Sequence, residues 1–427
     1  MIELKKDMEK VILVGVSEQD GDDTERSLKE LAELVKTAGA ESVGQVIQKR
    51  EMIHPGTYVG TGKLTEIKEL IWETEADGIV CDDELSPAQI GNLEEALQVK
   101  ILDRTLVILD IFAAHAMTRE GKIQVELAQL KYRQSRLTGL GKSLSRLGGG
   151  IGTRGPGEKK LEMDRRLIKG RIAQLNRELK EVKRHRQIAR ERRQKNRIPV
   201  AAIVGYTNAG KSTLLNQLTG ADVLSEDKLF ATLDPTTRLL TLPGKQELLL
   251  TDTVGFIRKL PHHLIEAFKS TLEEAKYADL ILHVVDVSSP EMDEQMYIVY
   301  QILQELEAND KPVITVFNKQ DKIEGQEVIL RDFRAEQIVK ISARTGQGLE
   351  DLKEALSGIL RRQKMAIEAV FPYAEAGKIQ MIRKSGELLE EEYREEGIFV
   401  RAFVPAELYA RVLPGGEEEK ESGNGEA

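Results

Sequence analysis

The chain has 427 residues, enough for about three domains, and carries 62 Lys and Arg against 71 Asp and Glu, a net charge of −9. Its single cysteine, Cys81, excludes an internal disulfide and fits a reducing, cytoplasmic setting. There is no apolar run of about 18 residues, and the start Met-Ile-Glu-Leu-Lys-Lys-Asp has no apolar signal core, so neither a membrane span nor export is expected.

From the N-terminus, strand and helix signals alternate. Lys10–Val16 reads as a strand, Thr24–Thr37 as a helix and Glu41–Gln48 as a strand. Lys63–Glu75 reads as a helix, Gly78–Cys81 as a strand, Pro87–Leu97 as a helix and Val99–Leu102 as a strand. Residues 1–118 are therefore expected to form a mostly parallel α/β domain. Its loop His54–Lys63 is glycine-rich and ends at a helix start. That would suit a phosphate, but the full phosphate-loop spacing is absent and a plain turn accounts for it better.

Residues 119–197 carry two long helical patterns. Ile123, Leu127, Leu130 and Leu137 mark one seam, interrupted by Gln134. Leu161 lies one heptad before Ile168, and Ile168, Ile172, Leu175, Leu179 and Val182 then follow the 4/3 rhythm of facing helices. An antiparallel hairpin is expected, with a glycine-rich tip over Gly139–Gly157. Residues 131–200 hold 22 Lys and Arg and 6 Asp and Glu, a net of +16, which leaves −25 for the rest of the chain. So one-sided a block exceeds what pairing along a helix needs and points to a polyanion, with Lys142, Arg146, Arg154, Lys159 and Lys160 near the tip as RNA contacts.

Residues 198–362 contain the most specific motif. Gly205-Tyr206-Thr207-Asn208-Ala209-Gly210-Lys211-Ser212 fits G-x-x-x-x-G-K-[ST] and lies between the apolar run Pro199–Val204 and a helical pattern at Lys211–Leu218. Strand, glycine loop and helix aim backbone N–H groups and the helix N-terminus at phosphates. Lys211 would reach the outer phosphates, and the Ser212 hydroxyl would ligate Mg²⁺. Asp252-Thr253-Val254-Gly255 ends the strand Glu247–Thr251. Asp252 would sit behind the Mg²⁺, and the Gly255 N–H would touch the γ-phosphate. Upstream, Phe230-Ala231-Thr232-Leu233-Asp234-Pro235-Thr236 precedes the strand Thr237–Leu242. One threonine of Thr232, Thr236 and Thr237 should complete the metal shell, and the likeness of Phe-Ala-Thr-Leu to the Obg-type switch favours Thr232.

Asn318-Lys319-Gln320-Asp321 follows the apolar run Pro312–Phe317, 107 residues after Lys211, and Ser342-Ala343-Arg344 follows the next strand. A carboxylate at Asp321 can accept from guanine N1–H and N2–H₂, whereas adenine offers no such donor pair. Order and spacing therefore select GTP and GDP over ATP. Phe256 stands where Ras-like enzymes carry a water-orienting Gln, so another group must assist hydrolysis. Asn208 is at the position that helps hold K⁺ in potassium-dependent GTPases; alternatively it merely tolerates the loop backbone. The proposed catalytic set is Lys211, Thr232, Gly255 and Asn208. The adjacent His262-His263 lacks helical ligand spacing and reads as surface.

Residues 365–412 read as a small α/β domain: strand Ala366–Phe371, helix Ala374–Arg383, and strands Glu387–Tyr393 and Ile398–Val404. Residues 413–427 are Gly- and Glu-rich and are expected to be disordered. The fold class is thus α/β, with the nucleotide domain a Rossmann-like open sheet.

Several segments together resemble the HflX family of translation-associated GTPases: His54–Lys63, Asp83–Pro87, Asp103-Arg104-Thr105, Thr118–Gly121, Gln124–Leu130 and Gly148–Lys160, all preceding the Gly205–Ser212 loop. The resemblance implies a GTPase that binds the large (50S) ribosomal subunit and its rRNA and splits stalled or idle ribosomes under stress. Phe256 leads to the expectation that hydrolysis is slow alone and stimulated by the ribosome. A monomer is expected. An ATP-driven RNA remodeller or ribosome-biogenesis factor using the N-terminal domain is the alternative, and a scaffold in which GTP is structural is a third reading.

Overall fold

The computed structural model describes residues 8–18, 23–144, 156–196, 198–220, 229–230, 233–243, 246–259, 272–323, 325, 328–362 and 364–413. The His262-His263 pair and residues 414–427 lie outside them. The chain forms two compact units. One comprises Met1–Ile188 with Leu224–Pro235 and Val254–Glu273. The other comprises Ala189–Val223, Thr236–Thr253 and Glu274–Ala427.

The first unit is built on strands β1 (Glu9–Ser17), β2 (Ala40–Lys49), β3 (Gly78–Cys81) and β4 (Lys100–Asp103), all parallel, in the order β2-β1-β3-β4. Helices α1 (Thr24–Thr37), α2 (Thr61–Thr74) and α3 (Pro87–Leu97) make the crossovers. Residues Val11–Val16 of β1 are buried in succession, because a parallel strand covered on both faces has no solvent side. Helix α3 begins with a capping box: Gln89 N donates to Ser86 Oγ (3.2 Å), Ser86 N to Gln89 Oε1 (2.9 Å), and Pro87 occupies the first turn. The His54–Lys63 loop is closed by its own polar groups. Gly56 N and Thr57 N donate to His54 Nδ1 (3.3 and 3.0 Å), and Gly60 N to Gln48 Oε1 (2.7 Å), the pattern of a turn.

Helix α4 (Arg104–His115) follows β4 directly and has no counterpart in the sequence reading. Its residues Val107, Ile108, Leu109, Ile111 and Phe112 are all buried, so no 3.6-residue alternation betrays it. Helices α5 (Arg119–Leu144) and α6 (Pro156–Asn196) form the antiparallel pair. Ile123, Leu127 and Leu175 are its buried centre, with Leu130, Ile172 and Leu179 packed against them. Arg186 pairs with Glu120 (2.5 Å) and Arg171 with Glu126 (2.7 Å), while Arg165 donates to the Leu137 carbonyl (2.7 Å). The tip is shorter than expected: Gly139 and Gly141 lie inside α5, since a helix interior tolerates glycine at about 1 kcal/mol each. Helix α5 is also tied to the sheet. Buried Asp103 accepts from Tyr132 Oη (2.7 Å), Arg136 Nη2 (2.5 Å) and Leu85 N (3.1 Å).

The second unit holds a six-stranded sheet: β5 (Val200–Gly205), β6 (Thr236–Leu242), β7 (Gln246–Asp252), β8 (Leu280–Asp286), β9 (Val313–Asn318) and β10 (Gln337–Lys340). The order is β10-β9-β8-β5-β7-β6, with only β6 antiparallel. Helices α7 (Lys211–Thr219), α8 (Met292–Glu305) and α9 (Leu349–Arg362) pack on it. The chain connections run to opposite sides of β5, towards β7 on one flank and β8 on the other, and open sheets bind ligands at the carboxyl ends of the strands at such a switch point.

A three-stranded antiparallel sheet follows, β11 (Met365–Phe371), β12 (Glu387–Arg394) and β13 (Gly397–Val404) in the order β11-β13-β12, with α10 (Ala376–Ser385) and the previously unassigned α11 (Ala406–Val412) on one face. Glu387, fully buried, accepts twice from the Arg361 guanidinium of α9 (2.6 and 3.0 Å). Arg361→Met should therefore strand a buried carboxylate. Because the Arg361 side chain is itself 39% exposed, the expected loss is near the low end for such pairs, about 3 kcal/mol. Chemical denaturation would read it, and an unchanged midpoint would show that Glu387 reaches water.

Candidate nucleotide site

The phosphate loop leaves β5 at Gly205 (φ 156°) and enters α7 at Gly210 (φ 95°), with Asn208 between them at φ 59°. A Cβ on Gly205 would collide with the Val284 carbonyl, and one on Gly210 with Asn318 Nδ2. Both glycines are required by space and by backbone sign. Exposed Asn208 occupies the left-handed region that Asn tolerates well, so its residue type is explained without an ion. Lys211, 6% exposed, donates from Nζ to the carbonyls of Tyr206 (2.8 Å) and Gly205 (3.2 Å). Burial lowers its pKa to about 8. The Ser212 hydroxyl donates to Asp252 Oδ2 (2.7 Å), and Thr253 Oγ1 to the Ile203 carbonyl (2.7 Å), which locks the end of β7 beside β5. Among the described residues, Thr207 Oγ1 is buried without a hydrogen-bond partner.

The second motif closes on the first. Asn318 Nδ2 donates to the Ala209 carbonyl (2.8 Å), and Ala343 N donates to Asn318 Oδ1 (2.9 Å). Asn318 thus braces the phosphate loop and the Ser342–Arg344 loop simultaneously. Lys319 (φ 68°) pairs with Asp286 at the end of β8 (2.7 Å), and the Ser342 hydroxyl donates to Asp321 Oδ1 (2.6 Å). Half-buried Gln320 and exposed Arg344 flank this group. Asp286 escaped the sequence reading; its place at a strand end beside a turn was the available signal.

The switch segments belong to the first unit. Ala231 and Thr232 lie outside the described residues, so the choice among the threonines is not made there. Phe230 packs edge-on against Phe112 of α4 (centroids 4.8 Å apart), and Leu233 is buried. Asp234 was expected at the nucleotide, but its carboxylate accepts from Met117 N (2.9 Å), Thr118 N (2.8 Å) and the Thr118 hydroxyl. These groups lie just before α5. The first turn of α5 is capped by Thr118, whose Oγ1 accepts from Gly121 N (3.0 Å), and Asp234 in turn fixes Thr118. Val254 and Gly255 are buried, and Phe256 and Ile257 are each 1% exposed. Next, Arg258 pairs with Asp23 (2.8 Å), and Lys259 (φ 50°) bridges Asp82 (2.5 Å) and Asp83 (2.8 Å). The sequence offered no sign of these ion pairs, which span 176 to 235 positions. Of the expected RNA contacts, Lys142 lies on α5 and Lys159 and Lys160 on α6, while Arg146 and Arg154 fall outside the described residues.

Comparison with known proteins matches residues 25–113 to a family described as GTP-binding GTPase N-terminal and residues 115–193 to a GTP-binding GTPase middle region. Residues 200–319 match a 50S ribosome-binding GTPase family. GTPase HflX of Lacrimispora saccharolytica is 68% identical over 410 residues, 96% of this chain and 97% of the relative. The chain belongs to the HflX family of GTPases. HflX of Escherichia coli K12 is 42% identical, with 91% of each chain covered. A Sulfolobus solfataricus GTP-binding protein in complex with GDP is similar in structure at 27% identity, TM-score 0.44, covering 82% of this chain and 98% of that one. As an HflX-family enzyme this chain hydrolyses GTP.

Gly210→Ala should abolish nucleotide binding while the fold survives, because the new Cβ displaces Asn318; wild-type affinity in a fluorescent-GDP titration would refute the brace. Asp321→Asn should weaken guanine-nucleotide binding by about 1.5–3 kcal/mol for each charged hydrogen bond lost, and strengthen binding of a xanthine nucleotide, whose C2 carbonyl can accept from the new amide N–H₂; a titration with both nucleotides reads the switch. Lys211 adds a pH dependence. Free, it loses its proton above about pH 8; bound phosphates would hold the charged form, so binding takes up a proton there. GTP affinity should be level below that pH and fall by up to about tenfold per unit above it. Calorimetry in buffers of different ionisation heat would detect the proton uptake, and identical heats would contradict it.

Proposed function

We propose that this GTPase binds the large ribosomal subunit in its GTP form, contacts ribosomal RNA through the basic helical pair, and splits stalled or idle ribosomes, hydrolysis allowing release. The supporting observation is the coexistence of a braced GTP-type phosphate loop with a +16 block over residues 131–200 in an otherwise acidic chain. A cytoplasmic monomer suits that role, and among the described residues no helix is long and apolar enough to cross a membrane. The reading divides the chain at 1–118, 119–197, 198–362, 365–412 and 413–427.

Ser212 and Asp252 are hard oxygen donors in mutual contact, which fits Mg²⁺. Ser212 would ligate the ion directly, Asp252 would stand behind it, and the ion would neutralise charge on the phosphates. Lys211 would leave its carbonyl partners for the outer phosphates, and Asp321 would read guanine. Buried Phe256 cannot orient water, so hydrolysis by the protein alone is slow and the ribosome supplies the missing group. The ATP alternative is weakened by the His54–Lys63 loop, three of whose N–H groups are spent on His54 and Gln48.

Large subunits should co-sediment with the protein and a non-hydrolysable GTP analogue, and much less with GDP. Affinity should drop steeply with salt as counterions are released. Arg146→Ala with Arg154→Ala should weaken the complex and leave GTP binding intact. A complex indifferent to nucleotide and salt would overturn the reading. Turnover measured in K⁺ and in Na⁺ tests whether Asn208 serves an ion; equal rates would remove that role.

A further inference from the structure

The connection from β9 to β10 carries an unusual aromatic. Phe333 is 94% exposed, more than any other large hydrophobic side chain among the described residues. Burying a phenylalanine ordinarily stabilises a fold, so full exposure forgoes that stabilisation. The backbone around it is nevertheless firmly held. The Asp332 carboxylate turns inward and accepts from Tyr300 Oη (2.6 Å) and Thr315 Oγ1 (2.6 Å), while Arg334 N donates to Asp332 Oδ1 (2.9 Å). The Arg334 guanidinium lies over the Tyr300 ring, 4.8 Å from its centre, and Tyr300 packs edge-on against buried His283. Two residues later, Glu336 N donates to the Val313 carbonyl (2.9 Å). Both neighbours of Phe333 are thus pinned to α8 and β9, and the ring is presented outward from a fixed base.

The surrounding charge indicates what the ring meets. Arg331 and Arg334 are exposed on either side. The intervening Asp332 is occupied by hydroxyl donors, and Glu336 pairs with Arg362 (3.4 Å). A rigid exposed ring between two cations matches the requirements of a nucleic-acid base: a face to stack on and positive charge for the adjoining phosphates. A pocket on a protein partner would need an apolar anchor but no flanking cations. We propose that Phe333 is a stacking platform for an unpaired RNA base, with Arg331 and Arg334 neutralising its phosphates. The partner base belongs to ribosomal RNA, a step that rests on the proposed ribosome-binding function. The platform is separate from the nucleotide site. Glu336 bonds the first residue of β9, whereas Asn318 is the last, so the two sites lie at opposite ends of that strand.

The test uses the full chain and the variants Phe333→Ala, Phe333→Leu and Phe333→Trp. Binding is measured to a labelled, unstructured twelve-nucleotide RNA and to large ribosomal subunits with a non-hydrolysable GTP analogue. A GTP titration serves as the control for folding and should be the same for all four proteins. Stacking predicts that Ala and Leu each weaken RNA and subunit binding by about tenfold, roughly 1.4 kcal/mol, whereas Trp preserves both. Unchanged RNA and subunit binding by Phe333→Ala overturns the platform. So does full retention by Leu, which would indicate an apolar protein pocket. If the wild type binds the oligonucleotide but not subunits, the ribosomal reading falls while the oligonucleotide series still decides for or against stacking.

Discussion

A loop that offers its backbone N–H groups to phosphate must dispose of its carbonyls elsewhere, and that constraint organises the second unit. The carbonyls of Gly205 and Tyr206 are met by Lys211, and that of Ala209 by the Asn318 amide. Because Asn318 also accepts from Ala343 N, the phosphate loop, the base loop and the Ser342–Arg344 loop are held by one side chain. The glycine requirements follow from the same closeness. Asn318 fills the space a Cβ on Gly210 would need, and Val284 does so for Gly205. Strand order places these loops together at the carboxyl ends of β5, β8 and β9, and the helix α7 N-terminus completes the positive field.

The first unit is governed by buried charge. Arg104, 1% exposed, pairs with Asp82 and Glu30; Asp103, equally buried, takes hydrogen bonds from Tyr132 and Arg136. Charges so placed are tolerable only when each is paired, which makes the junction of sheet, α4 and α5 specific rather than merely compact. Asp82 then also receives Lys259, and Asp234 holds Thr118, the residue whose hydroxyl caps α5. Segments that flank the nucleotide motifs in sequence are thereby held by the N-terminal sheet and its helices. Phe230 and Asp234, and Arg258 and Lys259, are each held by partners within that same unit.

Much of this architecture was legible because its strands are buried on both faces and give short continuous apolar runs bounded by turn residues. Thr24–Thr37, Gly78–Cys81 and Pro87–Leu97 are found at the expected limits. Helix α4 was not, since burial on nearly every side erases the periodicity that reveals a helix. The hairpin tip is shorter than its glycines suggest, because glycine signals a loop locally while α5 continues through Gly139 and Gly141 to Leu144. Asp234 was assigned by position in a motif, yet its partner, Thr118, is 116 positions away.

The sequence by itself determined the phosphate loop, the base loop and the basic block, because each is written in consecutive residues whose chemistry depends on local spacing. It determined the family for the same reason. Only the tertiary structure decided that Asn318 braces the phosphate loop, that Asp286 holds Lys319, that Phe230, Arg258 and Lys259 rest on Phe112, Asp23, Asp82 and Asp83, and that Phe333 stands outward on a pinned segment. Those outcomes depend on partners brought from far along the chain, and a charge or ring declares no partner until strand order and helix packing have set the distances.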